Sequence, residues 1–130
     1  MLSSEHDASR YADWLEKIEN AETKDAFLYL VGAAVCLRNF QCHTQLKGHD
    51  GPLHDFRFLD GDSQPFSFIT NQSKGLLFYF RPPAVRSGRY TLEALRNVLS
   101  SAAENPSGEW TVRITTVDEA KDLWAFLGLQ

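Results

Sequence analysis

The chain is short of the residues that announce a specialised chemistry. It has two cysteines, Cys36 and Cys42, too few for a disulfide scaffold and expected as free thiols in a reducing, cytoplasmic setting. No apolar run approaches the ~18 residues needed to span a bilayer; the longest, Phe27 to Leu37, falls well short. The N-terminal Met1-Leu-Ser-Ser-Glu-His-Asp7 lacks a basic stretch followed by an apolar one, so neither a secretory signal nor a membrane partner is expected. CxxC, HxxxH and HExxH spacings, a nucleophile elbow and a phosphate-cradling glycine loop are all missing, and with them the usual sequence signatures of an enzyme. Positive charge is also in deficit. Thirteen Lys and Arg against seventeen Asp and Glu leave a net charge of -4, which disfavours non-specific nucleic-acid binding by the surface as a whole.

Aromatic residues are plentiful: nine Phe, four Tyr and three Trp in 130 residues. They supply large core area per side chain, and a chain of this length forms one domain able to bury a substantial core. A single α+β domain over residues 1–130 is expected, with residues 1–7 the stretch open to disorder.

Hydrophobic periodicity divides the chain into eight elements. Tyr11, Trp14, Leu15 and Ile18 follow the i, i+3, i+4, i+7 rule of an amphipathic helix. Thr23 can cap a second helix through Asn39 that is apolar nearly all round and so expected to be buried. Gln41 to Pro52 is polar and reads as a loop. Three short strands follow, His54–Leu59, Phe66–Thr70 and Leu76–Arg81, separated by turn-forming stretches. Thr91 can cap a helix running through Ala103; Trp110, Val112 and Ile114 alternate as a fourth strand. Thr116 and Glu119 have the spacing of a capping box for a last helix through Leu127. The order ααβββαβα predicts a four-stranded, mainly antiparallel or mixed sheet with helices packed on it.

Two regions carry candidate chemistry. Cys42, His43, His49 and His54 fall close together with Asp50 and Asp55 beside them. Thiolate and imidazole are zinc ligands, and a His/Asp loop over 43–62 could serve a small metal-dependent hydrolase or nuclease. The spacing is irregular, however, and the plain alternative is a polar loop that happens to hold histidines. No catalytic residue is assigned, and no cofactor is required.

The second region is the exit of the third strand. Leu76, Phe78 and Phe80 alternate with Leu77, Tyr79 and Arg81 before Pro82-Pro83 stops the strand. Arg86, Arg89 and Tyr90 follow, and Lys74 to Arg96 is the only strongly cationic stretch of an acidic chain. Arginine offers a planar fork to carboxylate or phosphate, and tyrosine stacks on bases or fills protein pockets. Tyr79, Arg81, Arg86, Arg89 and Tyr90 are therefore the candidate binding residues of a small intracellular, non-enzymatic binding or regulatory protein. A protein partner is favoured over nucleic acid because the net charge is negative. The plain alternative is a solvated loop whose arginines pair with the acidic N-terminal half. An uncovered sheet edge could also add a strand from a second copy, so a homodimer is a further expectation.

Overall fold

The alternation of aromatic residues along the strands decides the architecture. A computed structural model of the chain describes residues 5–46, 54–71 and 75–129. Two helices, α1 (Glu5–Lys17) and α2 (Ala21–Val35), precede four strands: β1 (Gln41–Leu46), β2 (His54–Asp60), β3 (Ser63–Asn71) and β4 (Gly75–Phe80). A short turn of helix, α3 (Pro82–Val85), leads to α4 (Leu92–Val98), the strands β5 (Ala103–Glu104) and β6 (Trp110–Ile114), and the closing helix α5 (Val117–Leu127). The strands form one open antiparallel sheet in the order β1-β2-β3-β4-β6-β5.

Successive strand residues point to opposite faces, and the register lines up the aromatics. Phe56, Phe68, Phe78 and Val112 form one row across β2, β3, β4 and β6; Phe58, Phe66, Phe80 and Trp110 form the next. Phe56 and Phe68 stack at 4.7 Å, and Phe66 meets Phe80 edge-on at 5.5 Å. Helices cover this face: Tyr11 of α1 lies 5.0 Å from Phe56, Phe27 of α2 lies 6.2 Å from Phe68, and Trp124 and Phe126 of α5 each lie 6.2 Å from Phe58 and Phe80 respectively.

The α+β class agrees with the sequence reading; the strand count does not. Among the described residues the sheet has six strands rather than four, and all its pairings are antiparallel. Gln41-Cys-His-Thr-Gln-Leu46 reads as loop because it is polar, yet it pairs with β2 over six positions. Among its described side chains the small Cys42 reaches the aromatic face, and the order of this edge strand comes from the ladder rather than from propensity. The second missed strand, β5, was expected as the end of a helix through Ala103. Instead α4 stops at Val98 and Leu99 turns extended (φ -134, ψ 103). Leu95, Leu99 and Ala102 keep their helical spacing and are all buried, but the last two are delivered by a turn.

Beyond β5 the Ser101 hydroxyl accepts from Arg113 N at 3.0 Å and donates to Arg113 O at 3.2 Å, closing the β6 edge where a strand residue would have paired. At the other end of β4, Gly75 has φ +84, and a Cβ there would stand 2.8 Å from the Ile114 carbonyl oxygen, so only glycine allows this strand to begin so close to β6.

Helix caps were partly legible. Asn20, not Thr23, caps α2: its Oδ1 accepts from Thr23 N at 3.1 Å. Thr23 is buried and donates to the Thr115 carbonyl at 3.3 Å, joining α2 to the start of α5. The Thr116–Glu119 capping box is present. Glu119 Oε1 accepts from Thr115 N at 2.9 Å, Thr115 Oγ1 at 2.7 Å and Thr116 N at 3.2 Å.

Partial burial pushes the Glu119 carboxyl up, but these hydrogen bonds from Thr115 and Thr116 outweigh it and hold the group below its usual value of 4.5. A lowered folded value contributes stability that is present above the unfolded value and lost as pH falls through the folded one. Glu119→Gln should therefore melt earlier than wild type at neutral pH, and the gap should narrow as pH falls through the lowered folded value. A gap that stays the same across that range would show that the carboxylate charge plays no part.

Candidate functional site

The sheet face opposite the aromatic rows is the polar one. His43, Arg57, Ser67, Tyr79 and Thr111 form a row across β1, β2, β3, β4 and β6, and Asp55, Ile69, Leu77 and Arg113 form a second beside it. The alternation that sends Phe56 and Phe58 into the core necessarily sends Asp55 and Arg57 here.

Asp55 is the unusual member, because its side chain is only 1% exposed. Arg57 Nε donates to its Oδ2 at 2.6 Å, and Arg57 Nη1 donates to Gln64 Oε1 at 2.9 Å. Charged groups are buried at a cost unless paired and hydrogen-bonded, and this pairing meets the need at one oxygen only. The other, Oδ1, and the buried Nε2 of His43 accept no hydrogen bond among the described residues.

Tyr79 sits amid the charges of this face. Burial pushes its phenol above the usual value of 10.0, the Glu109 and Asp55 carboxylates add to the rise, and Arg113 and Arg81 oppose it. Arg81 continues the Tyr79 side of β4 and lies 3.5 Å from the Glu109 carboxylate. Tyr79 and Arg81 are thus close together, as the strand alternation predicts.

The other predicted binding residues lie further along the same end of the sheet, where the chain turns from the polar face to the helical one. Pro82 and Pro83 open α3, whose backbone returns to Arg81 through Ala84 N and Val85 N at 2.9 and 3.0 Å. Arg86 follows α3 and is exposed. Arg89 is exposed and lies with its guanidinium carbon 5.4 Å from the Tyr90 ring centroid.

Tyr90 is buried: its hydroxyl donates to the Leu127 carbonyl at 2.6 Å and its ring meets Phe80 edge-on at 5.4 Å. Its hydrophobic body is spent on the core, so it anchors the loop and serves as the platform for Arg89. The Thr91 hydroxyl accepts from Ala94 N at 3.1 Å, capping α4. Arg89 also lines a cleft of about 200 Å³ with Asp60, Ser63, Pro83 and Ser87.

Of the candidate metal ligands, the two whose side chains are described, Cys42 and His43, do not converge. Cys42 is buried on the aromatic face, its thiol donating to the Ala34 carbonyl at 3.7 Å, while His43 lies on the polar face of the same strand. Strand alternation therefore places the sheet between them. His49 lies outside the described residues, as does the side chain of His54. Among the described residues no three His, Cys, Asp or Glu side chains group as a metal site. Both cysteines are free thiols, Cys36 exposed and Cys42 buried.

The pair that the sequence reading missed is Asp55–Arg57. Its signal was available in the spacing of His54-Asp-Phe-Arg-Phe58, which sets acid and base side by side on the face opposite two phenylalanines. What the spacing does not carry is the burial of that face. Compared with family models, curated proteins and solved structures, the chain has no match.

Proposed function

We propose that the protein is a non-enzymatic binding or regulatory module that engages an acidic protein partner at the end of the sheet formed by Tyr79, Arg81, Arg86 and Arg89. The observation that carries this reading is the state of the arginines. Arg57 pairs with Asp55 and Arg81 with Glu109, whereas Arg86 and Arg89 form no ion pair among the described residues and are exposed. Two uncompensated guanidinia on an acidic chain are held by a double-proline turn and a buried tyrosine, so little ordering is left for binding to impose. Their charge complements carboxylates, and the planar fork suits them.

Two free thiols fit a reducing, cytoplasmic setting. Among the described residues no helix is long and apolar enough to cross a membrane.

Charge reversal at both exposed arginines provides the test. Like charges facing each other across an interface cost several kcal/mol, so Arg86→Glu/Arg89→Glu should weaken association about a hundredfold or more while the melting temperature stays unchanged. The partner is to be captured from the native host, identified, and rebound as purified protein over a range of salt concentrations. Rebinding that weakens with salt and is lost in the double variant supports the proposal. Equal affinity of the double variant overturns it, and a purified partner that is nucleic acid overturns the choice of protein.

A further inference from the structure

We infer that the cavity between the C-terminal ends of α2 and α5 is a binding site for a small organic carboxylate with a flat apolar body. Each helix ends in a turn that sends a leucine inward. At the end of α2 the Cys36 and Leu37 amides donate to the Ala33 and Ala34 carbonyls at 3.3 and 3.1 Å, and Leu37 is buried. Gly128 ends α5 in the left-handed region (φ +61), and Leu129 after it is buried. Between these turns lies a cavity of about 450 Å³ whose walls include Ala33, Cys36, Leu37, Arg38, Trp124 and Leu129. Small-molecule sites usually enclose about 300–1,000 Å³.

The lining selects the class of ligand. Leu37 and Leu129 are buried, Ala33 and Trp124 half-buried, and Cys36 and Arg38 exposed, so the cavity has an apolar floor and a polar mouth. The Trp124 ring is held against Phe58, 6.2 Å away, and offers a flat surface to an apolar body. Two polar groups at the cavity are donors without an acceptor. The Arg38 guanidinium has neither ion pair nor hydrogen bond among the described residues, and the Trp124 indole N–H has no hydrogen bond there either. Guanidinium and indole can only donate, so both call for an acceptor. A carboxylate matches the arginine fork with two parallel bonds. Phosphate would satisfy the fork as well, but it has no apolar body to set on the floor.

The helix ends themselves oppose an anion, because a C-terminus carries roughly half a negative charge. That effect is blunted at both. Two of the last α2 carbonyls already accept from Cys36 and Leu37, and the Leu127 carbonyl of α5 accepts from the Tyr90 hydroxyl. The full charge of Arg38, delivered through directed hydrogen bonds, outweighs what is left. The cavity shares Leu129 with the cleft beside Arg89, but Tyr79, Arg81, Arg86 and Arg89 do not line it. The inference therefore does not depend on the function proposed above.

Calorimetric titration of the full chain with β-naphthoate, and with its neutral counterpart β-naphthylmethanol, tests the site. The acid is expected to bind with a Kd of about 0.1 mM or tighter, and the alcohol about tenfold more weakly. Arg38→Gln, at an exposed position, should bring the acid down to the affinity of the alcohol. The same variant should leave the alcohol's affinity and the melting temperature unchanged. Cys36 reports the location, because its free thiol is exposed whereas Cys42 is buried. With the acid at ten times its Kd, alkylation of Cys36 by iodoacetamide should slow about tenfold. No saturable binding up to about 1 mM, or Cys36 alkylated as fast with the site filled as without, overturns the site. Equal affinities for acid and alcohol, or an Arg38→Gln variant that binds the acid as wild type does, overturn the choice of a carboxylate.

Discussion

Arg57→Ala is expected to destabilise the fold by about 3–5 kcal/mol, the cost of leaving a buried charge without its partner. That is a large part of the 5–15 kcal/mol that typically separates folded from unfolded domains. The size of the effect follows from the asymmetry of the pair. The Arg57 side chain is 18% exposed and the Asp55 side chain 1%, so removing the arginine strands a carboxylate that water cannot reach. Its Oδ1 already has no hydrogen bond among the described residues, and the variant leaves Oδ2 in the same state.

Two features distinguish this from simple loss of packing. Asp55→Asn in the Arg57→Ala background should recover most of the loss, because the stranded group is then neutral. Arg57→Lys should recover only part, since an ammonium cannot bond Asp55 and Gln64 through one rigid fork. Urea titration of the four proteins decides the matter. If Arg57→Ala costs under about 1 kcal/mol, the pair behaves as a solvent-screened surface contact and the polar face is wetter than its burial implies.

Phe78→Ala is the second large effect, also about 3–5 kcal/mol, combining lost transfer energy with the cavity left behind. Phe78 is fully buried and lies 5.8 to 6.2 Å from the rings of Phe58, Phe66, Phe68 and Phe80. Strands on both sides constrain those rings through their register, so the cavity cannot close by a simple shift. Phe78→Leu should cost less, because it keeps most of the volume.

The adjacent residue provides the contrast. Tyr79→Ala removes a ring from the opposite face and should cost only about 1 kcal/mol, yet it should weaken partner binding if the proposed rim is correct. Chemical denaturation of both variants, followed by binding measured on the folded fraction, separates the two roles. Equal destabilisation by the two substitutions would mean that both faces of β4 are packed alike.

Much of this molecule could be read before its structure was known. The Thr116–Glu119 cap depends on side chains three residues apart, and strand alternation depends only on backbone geometry, so both are local. The separation of Phe78 and Phe80 from Tyr79 and Arg81 was legible for the same reason. Tyr90 was not. Its neighbours in sequence are polar, and only tertiary packing supplies the Leu127 carbonyl and Phe126 ring of α5 and the Phe66 and Phe80 rings of the sheet that bury it.

The edge strands were illegible on similar grounds. A six-residue polar strand such as β1 is ordered by hydrogen bonds to β2, and a two-residue strand such as β5 by its place beside β6. Neither has a periodicity of its own to declare it. Leu95, Leu99 and Ala102 show the opposite failure: a helical pattern of buried residues was met by a helix followed by a turn.

What the sequence by itself determined is local and additive: an acidic, aromatic-rich α+β chain, its alternating strands, most of its caps and a cationic exit from β4. Tertiary structure decided which side chains were free to act. Whether a tyrosine is anchor or contact, and whether an arginine is paired or available, depends on residues far away in the chain. Tyr90 is closed off by α5 and Arg81 is engaged by Glu109, while Arg38, Arg86 and Arg89 are left exposed. Burial and pairing are properties of the assembled sheet and helices, and no short stretch of chain contains them.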